Sequence, residues 1–246
     1  MNQNPLMTDY NVDELNRRFD KAAPESVLEW ALDEFQNDLI LACSFGPEDT
    51  ALLDILTGLS DNPRVFVLDT GRLHEATYEM LNSCRTRYGI DFEIYFPEQQ
   101  KVQALLQNKG PFSFYDSVEN RKECCAIRKV DGLGRALGGV RAWITGLRRA
   151  QSDARSAVPR FEIDRAHNNI LKINPLVDWT YEDVLSYHEQ HKIPMHTLIN
   201  KGYPSIGCEP CTRAIQPGED LRAGRWWWES SQKECGLHVA HIGSNI

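Results

Sequence analysis

No run in this 246-residue chain approaches the roughly 20 consecutive apolar residues that a membrane-spanning helix requires, so no membrane association is expected. The first residues carry Asp9, Asp13 and Glu14 where a signal peptide would place a basic and then an apolar region. An excess of positive charge is lacking too. Lys and Arg number 27 against 35 Asp and Glu, a net charge of −8, which argues against non-specific nucleic-acid binding. The string GxxxxGKS/T is missing, and with it the phosphate lysine and magnesium hydroxyl of an ordinary P-loop. Internal repeats and low-complexity tracts are absent.

What is present is an ordinary globular composition, 41 % hydrophobic and 25 % charged, long enough for one large α/β domain or two small ones. The cations cluster at 121–129, 141–165 and 213–225, so an acidic protein is expected to hold a basic pocket for a small anion. Seven cysteines, an odd number with no export signal, predict reduced thiols in the cytoplasm.

Along the chain, residues 1–11 read as a loose arm, and Val12–Phe19 and Val27–Phe35 carry apolar residues at helical spacing. Leu39–Cys43 is a short apolar run of the buried parallel-strand type, ending in Ser44-Phe45-Gly46-Pro47 before a helix over 50–59. A strand, a Gly-containing turn and a helix make half a nucleotide-binding unit, although a plain connecting turn reads the same way. A second strand, Arg64–Leu68, runs into Asp69-Thr70-Gly71-Arg72, a polar turn at the strand end where open α/β sheets bind ligands. Further strands are expected at 92–96, 141–145 and 170–176, with helices at 76–88 and 102–106 and one through the cysteine pair to Leu137. After the strand at 141–145 comes a loop with Arg148, Arg149 and Arg155, residues suited to a bidentate grip on phosphate or sulfate. Thr180-Tyr-Glu-Asp183 has the pattern of a capping box opening a helix, on which His188 and His191 are read as an exposed face rather than metal ligands.

The cysteines fall into two pairs and three singles. Cys124-Cys125 sits among Arg121, Lys122, Arg128 and Lys129, and Cys208-Glu-Pro-Cys211 supplies a CxxC far downstream. Two separated pairs point to a metal site. Adjacent cysteines diverge by about 100° on a helix, which strains a single zinc ion but suits a cubane whose irons each take one thiolate. Zinc, a strained vicinal disulfide and inert buried thiols remain the other readings. Cys235 stands apart in a tail rich in polar residues, followed by Gly236 and His238, as a travelling thiol would. Trp226-Trp227-Trp228 cannot all face one core.

With these pieces together, roughly residues 25–240 resemble the assimilatory sulfonucleotide reductases, in particular the bacterial kind acting on adenylylsulfate (APS). The resemblance is carried by Cys124-Cys125, Cys208-x-x-Cys211 and Glu234-Cys-Gly-Leu-His238, supported by Leu68-Asp-Thr-Gly-Arg72 and Thr145-Gly-Leu-Arg-Arg149. It implies an α/β fold: a Rossmann-like sheet of the adenine-nucleotide α-hydrolase type with flanking helices and a mobile C-terminal tail. The expected division is an N-terminal arm over 1–24, a nucleotide- and cluster-binding domain over 25–215, and a tail over 216–246 bearing the catalytic cysteine.

The same resemblance implies a [4Fe–4S] cluster on Cys124, Cys125, Cys208 and Cys211, and Cys235 as the nucleophile. Ser44, Phe45 and Gly46 would form the nucleotide turn, Leu68, Asp69, Thr70, Gly71 and Arg72 the adenosine segment, and Arg148, Arg149 and Arg155 the arginine loop. Lys129, Arg222, Arg225 and His238 would surround the phosphosulfate. Pro47 departs from the family's Ala and removes an N–H from the phosphate cradle. The implied reaction reduces APS to sulfite and AMP through a Cys235 S-sulfocysteine, discharged by thioredoxin or glutaredoxin. The alternatives are use of the 3′-phosphorylated substrate PAPS, alone or with APS, and a four-cysteine zinc module binding a nucleotide or RNA. A homo-oligomer is left open.

Overall fold

A computed structural model describes residues 10–229 of the chain. In chain order its strands are β1 (Leu39–Ala42), β2 (Val65–Leu68), β3 (Glu93–Tyr95), β4 (Ala142–Ile144), β5 (Phe161–Asp164) and β6 (Ile170–Ile173). They form one six-stranded sheet in the order β3-β2-β1-β4-β6-β5, parallel except for β5, which runs antiparallel to β6. The main helices are α1 (Val12–Arg18), α2 (Pro24–Phe35), α3 (Pro47–Leu59), α4 (Glu75–Tyr88), α5 (Gln99–Lys109), α6 (Val118–Cys125), α7 (Asp131–Ala136) and α8 (Tyr181–His191). Among the described residues no helix is long and apolar enough to cross a membrane.

The central strands β1, β2 and β4 are apolar throughout because both faces are covered. Alternation along β1 sends Leu39 and Leu41 into a core with Leu28, Phe35, Leu52 and Val65, and Ile40 into a second core with Phe66, Leu133, Leu137 and Trp143. β1 lies between β2 and β4. The chain therefore leaves β1 in one direction and returns to its other side later, which opens a crevice at the carboxyl ends of β1 and β4.

The sequence reading contains five strands; β5 is the sixth. Arg160-Phe-Glu-Ile-Asp164 alternates apolar and charged residues and carries no continuous apolar run. It is an edge strand, and its register pairs Glu162 with Lys172. There Lys172 is buried, ion-paired to Glu162 at 3.0 Å and 5.4 Å from the Trp143 ring centroid. The outer edge is covered by α1: Asn16 Nδ2 donates to the Phe161 carbonyl at 2.8 Å and Asn16 Oδ1 accepts from Phe161 N at 3.0 Å. Leu15 and Phe19 are buried in the main core, so residues 12–24, placed with the arm in the sequence reading, pack as part of the domain.

Downstream, residues 216–229, grouped with the tail, also dock on the domain. Thr212 and Arg225 form an antiparallel bridge, and Trp226 N donates to the Cys211 carbonyl at 3.2 Å. The three tryptophans divide as their adjacency requires: Trp226 is buried, Trp228 half-buried and Trp227 exposed.

Candidate active site

The crevice holds a cavity of about 240 Å³. Its floor is apolar, with Ala42, Phe66, Leu68, Leu133, Trp143 and Leu147, and its rim is cationic, with Lys129, Arg148, Arg155, Arg222 and Arg225. Ser44, Phe45, Gly46 and Thr70 complete the expected residues that line it. An apolar floor for a flat ring beside convergent cations is the usual build of a nucleotide site.

The turn after β1 is shaped by Phe45, held at φ +61 with its ring buried 5.5 Å from that of Phe92. A bulky residue with positive φ costs energy, and buried aromatic packing is what sustains it. Gly46 is the N-cap of α3 and Pro47 its first residue. Proline at this position gives up only a donor that a helix leaves unpaired anyway, so the turn accepts the substitution that its sequence made suspect. Ser44 donates to Asp49 Oδ2 twice, from its backbone N at 2.6 Å and its hydroxyl at 2.7 Å. Burial lifts the Asp49 carboxyl to about 6 despite those two donors. Gly146 sits against this turn: a Cβ there would lie 2.5 Å from Asp49 Oδ1, so β4 and α3 approach only because the position is glycine.

His188 is buried rather than exposed. Its Nε2 donates to the Pro47 carbonyl at 2.8 Å and docks α8 on the first turn of α3. Burial lowers its pKa, although the backbone contacts to Pro47 and Ile193 pull the other way. His191 is occupied with Asp54 at 3.4 Å and stacks on Tyr187, so the two rings share no ligand.

In the arginine loop the three guanidinium groups part company. Arg148 is buried and spends Nε and Nη2 on Glu48 Oε1, at 2.9 and 2.6 Å. Gln151 bridges: its Nε2 donates to the same Glu48 oxygen at 3.1 Å and its Oε1 accepts from Arg155. Arg149 points away from the cavity, to Asp178 and the Val158 carbonyl. Glu48, Asp49, Gln151, Tyr181 and the stretch Pro204–Gly207 line the cavity without having been singled out. Only Gln151 carried a signal, its place among the arginines.

The turn after β2 divides its residues between two sites. Leu68 and Thr70 line the strand-end cavity. Asp69 closes the turn, accepting from Gly71 N at 2.8 Å and from the Tyr78 hydroxyl at 3.0 Å. Gly71, at φ +67, supplies the left-handed conformation that reverses the chain. Arg72 faces the other way, into a second, smaller cavity lined by Cys124, Cys125, Cys208 and Cys211 with Arg121, Arg128 and Lys129. Lys129 lines both cavities.

The cysteine pair ends α6, and the backbone runs on through a π-helical turn, Ala126–Val130, into α7. Such wide turns reorient side chains within a helix and recur at functional sites. Cys208 is the N-cap and Cys211 the last residue of a short 3₁₀ turn fixed by Glu209 N donating to the Arg72 carbonyl at 2.8 Å. All four thiols are free. Burial pushes Cys211 up to about 12 and raises Cys124. Cys208 ends below its ordinary value, because Lys129, the Thr70 hydroxyl at 3.2 Å, Arg225 and Arg128 together outweigh its burial.

Among the described residues no three Cys, His, Asp or Glu side chains converge on a single ion. The fit to a larger, sulfur-rich group rests on the donors around the four cysteines. Arg72 Nη1, Arg128 Nε and Trp226 Nε1 are buried without a hydrogen-bond partner. Trp226 belongs to the same buried cluster as Cys124, Cys208 and Cys211. Native interiors seldom leave such donors unsatisfied.

Behind the cysteines the chain is pinned by a buried ion pair. Arg121 donates from Nε and Nη2 to Glu229 at 2.7 and 3.0 Å, and its guanidinium lies 4.7 Å over the Trp226 ring. Arg225 lies 4.7 Å from the same ring centroid and donates to the Ile206 carbonyl at 3.2 Å. Gly207 makes room for it, since a Cβ there would stand 2.2 Å from Arg225 Nη2. Cys235 and His238 lie outside the described residues.

The family described as phosphoadenosine phosphosulfate reductase domain matches residues 38–214. The chain is 48 % identical over 212 residues to adenosine 5′-phosphosulfate reductase of Burkholderia cepacia, covering 86 % of this chain and 84 % of that protein. It is 45 % identical to chloroplastic 5′-adenylylsulfate reductase 3 of Arabidopsis thaliana over 95 % of this chain, and spans 52 % of that plant protein's length. Among solved structures, phosphoadenylyl-sulfate (PAPS) reductase from Candida auris superposes with a TM-score of 0.71 at 26 % identity, over 83 % of this chain and 97 % of that one.

Proposed function

Because the chain belongs to the phosphoadenosine phosphosulfate reductase domain family, we propose that it reduces adenylylsulfate to sulfite and AMP in assimilatory sulfate reduction, a reading supported by bacterial relatives named adenosine 5′-phosphosulfate reductase. The observation that carries the reading is the pair of adjoining cavities that share Lys129. One has an apolar floor and a cationic rim for a nucleotide anion, and the other is walled by four cysteines.

In this reading the adenine rests on the floor between Leu68, Leu133 and Trp143, and the phosphosulfate meets Lys129, Arg222 and Arg225. The Cys235 thiolate attacks the sulfuryl sulfur. A sulfur–sulfur bond forms, the bond from that sulfur to the phosphate oxygen breaks, and AMP leaves with the electron pair. Cations already in place offset the charge growing on the phosphate. Of the two loop arginines at the rim, Arg148, neutralised by Glu48, serves to fix the first turn of α3, and Arg155 is held by Gln151. Arg149 braces the loop against Asp178. A dithiol protein, thioredoxin or glutaredoxin, then attacks the Cys235 sulfur and releases sulfite. Its own oxidation to a disulfide supplies the two electrons that take sulfur from sulfate to sulfite level.

Cys124, Cys125, Cys208 and Cys211 would hold a [4Fe–4S] cluster, whose contribution is a local field beside the substrate and a rigid anchor for the π-turn bearing Lys129. Zinc fits less well, since the adjacent Cys124 and Cys125 end a helix, where neighbouring side chains diverge by about 100°. APS is favoured over PAPS because it is the substrate in the names of the bacterial relatives. Side-by-side turnover of APS and PAPS, with iron and acid-labile sulfide measured on anaerobically purified protein, tests both parts. Near-equal iron and sulfide with preferred use of APS is expected; zinc in a colourless active protein, or preferred use of PAPS, contradicts them.

A further inference from the structure

The position of Arg72 in its sequence string assigns it to the adenosine segment, but its side chain lines the cysteine cavity and not the strand-end one. Three contacts hold it there. Nη2 donates to the Pro111 carbonyl at 2.6 Å, the guanidinium lies 5.1 Å over the Phe114 ring, and the Arg72 carbonyl accepts from Glu209 N at 2.8 Å, next to Cys208. Of these three partners Phe114 lines the same cavity, and Glu209 stands between Cys208 and Cys211 in the chain. Its remaining terminal nitrogen, Nη1, is buried and has no partner. Arg128 Nε in the same cavity is in the same state. Two buried, unpartnered cationic donors on residues that line one cysteine-walled space call for an acceptor of opposite charge.

We propose that Arg72 is a positioning residue for the cysteine-bound cluster, with Nη1 donating to a sulfur of the bound group and the guanidinium charge offsetting its negative charge. The proposal rests on the cluster reading above. Outer-shell partners of this kind orient the ligands and govern how firmly the metal is held; their loss typically weakens metal binding about 10–100-fold. Lysine is a poor replacement, because a single ammonium cannot reach the Pro111 carbonyl and the cavity together or lie flat on Phe114.

The test uses the full chain, purified without oxygen, as wild type, Arg72→Gln and Arg72→Lys. All three are expected to bind APS with KM within about twofold of one another. On exposure to air, Arg72→Gln should lose its visible charge-transfer absorption at least about tenfold faster than wild type, with Arg72→Lys between them. The iron–thiolate stretching bands in the resonance Raman spectrum should shift in both variants. Loss of iron from Arg72→Gln during purification, with an unchanged far-ultraviolet spectrum, also supports the assignment. Wild-type bands and lifetime in both variants overturn it, as does a raised KM with an unperturbed cluster, which would return Arg72 to the substrate. Wild-type protein without iron and sulfide overturns the cluster reading and this inference with it, a result distinct from a cluster indifferent to Arg72.

Discussion

Removing the carboxylate of Glu229 should unfold the C-terminal face of the cysteine site. The Arg121 and Glu229 side chains are 2 % and 3 % exposed and meet in a two-point contact, so little solvent screens the pair. Glu229→Ala leaves a guanidinium buried against Trp226 without its carboxylate. Breaking one side of a buried pair costs about 3–5 kcal/mol. For a chain of this size each kcal/mol lowers Tm by about 2–4 °C, so a fall of roughly 6–20 °C is expected. The assay is equilibrium urea unfolding in oxygen-free buffer, followed by tryptophan emission and circular dichroism together. Replacing both partners, Arg121→Met with Glu229→Leu, should recover at least half of the loss, because the desolvation penalty goes with the charges. A cost below about 1 kcal/mol for Glu229→Ala would place the pair with exposed ion pairs and refute the reasoning.

Two groups whose pKa values are displaced by desolvation should give the stability a pH dependence of opposing signs. Burial, helped by His74, lowers His196 from 6.5 to about 4, and its neutral ring meets the Thr77 hydroxyl at 3.1 Å. The unfolded chain takes up that proton first, so about 3 kcal/mol present above pH 6.5 drains away as pH falls toward 4. His196→Gln should flatten this part of a urea-midpoint series. Asp49, raised from 3.8 to about 6, acts in reverse: its contribution is fullest below pH 3.8 and is lost as pH rises through 6. Asp49→Asn should therefore gain stability on wild type near neutral pH but not near pH 4, and equal shifts at both would contradict the assignment. Gly207→Ala would set a Cβ 2.5 Å from Arg225 Cζ and push the guanidinium off the cavity rim without removing any charge. Its kcat/KM on APS should fall by roughly 2–3 kcal/mol, as for Arg225→Ala, the scale of lost charge-assisted hydrogen bonds. Wild-type kinetics from Gly207→Ala alongside a damaged Arg225→Ala would show that the rim does not depend on this clearance.

Much of the architecture is legible in the chain because parallel strands buried on both faces must be continuous apolar runs, as in Leu39-Ile-Leu-Ala42 and Val65-Phe-Val-Leu68. β5 escapes the same test because an edge strand under α1 needs apolar residues at alternate positions only. The capping box at Thr180 is local chemistry and forms as written: Thr180 Oγ1 accepts from Asp183 N at 3.1 Å and Asp183 Oδ2 from Thr180 N at 2.8 Å. Arg72 and Arg149 show the limit. Each sits in a string with a single apparent purpose, yet adjacent side chains of a turn point to different sides, and only the packed neighbours decide which. His188 looks like one of an exposed pair, but its partner is the Pro47 carbonyl, 141 positions away. The Arg121–Glu229 pair spans 108 positions and has no local pattern.

The central claim is that Cys235 carries the sulfonate between APS and the reductant. One turnover of wild-type protein with APS and no reductant, read by intact-protein and peptide mass spectrometry, tests it most directly. The account predicts one AMP released per site and one sulfonate on the peptide bearing Cys235, discharged as sulfite when thioredoxin is added and absent from Cys235→Ser. A sulfonate on any other cysteine, or sulfite formation by Cys235→Ser, would contradict it.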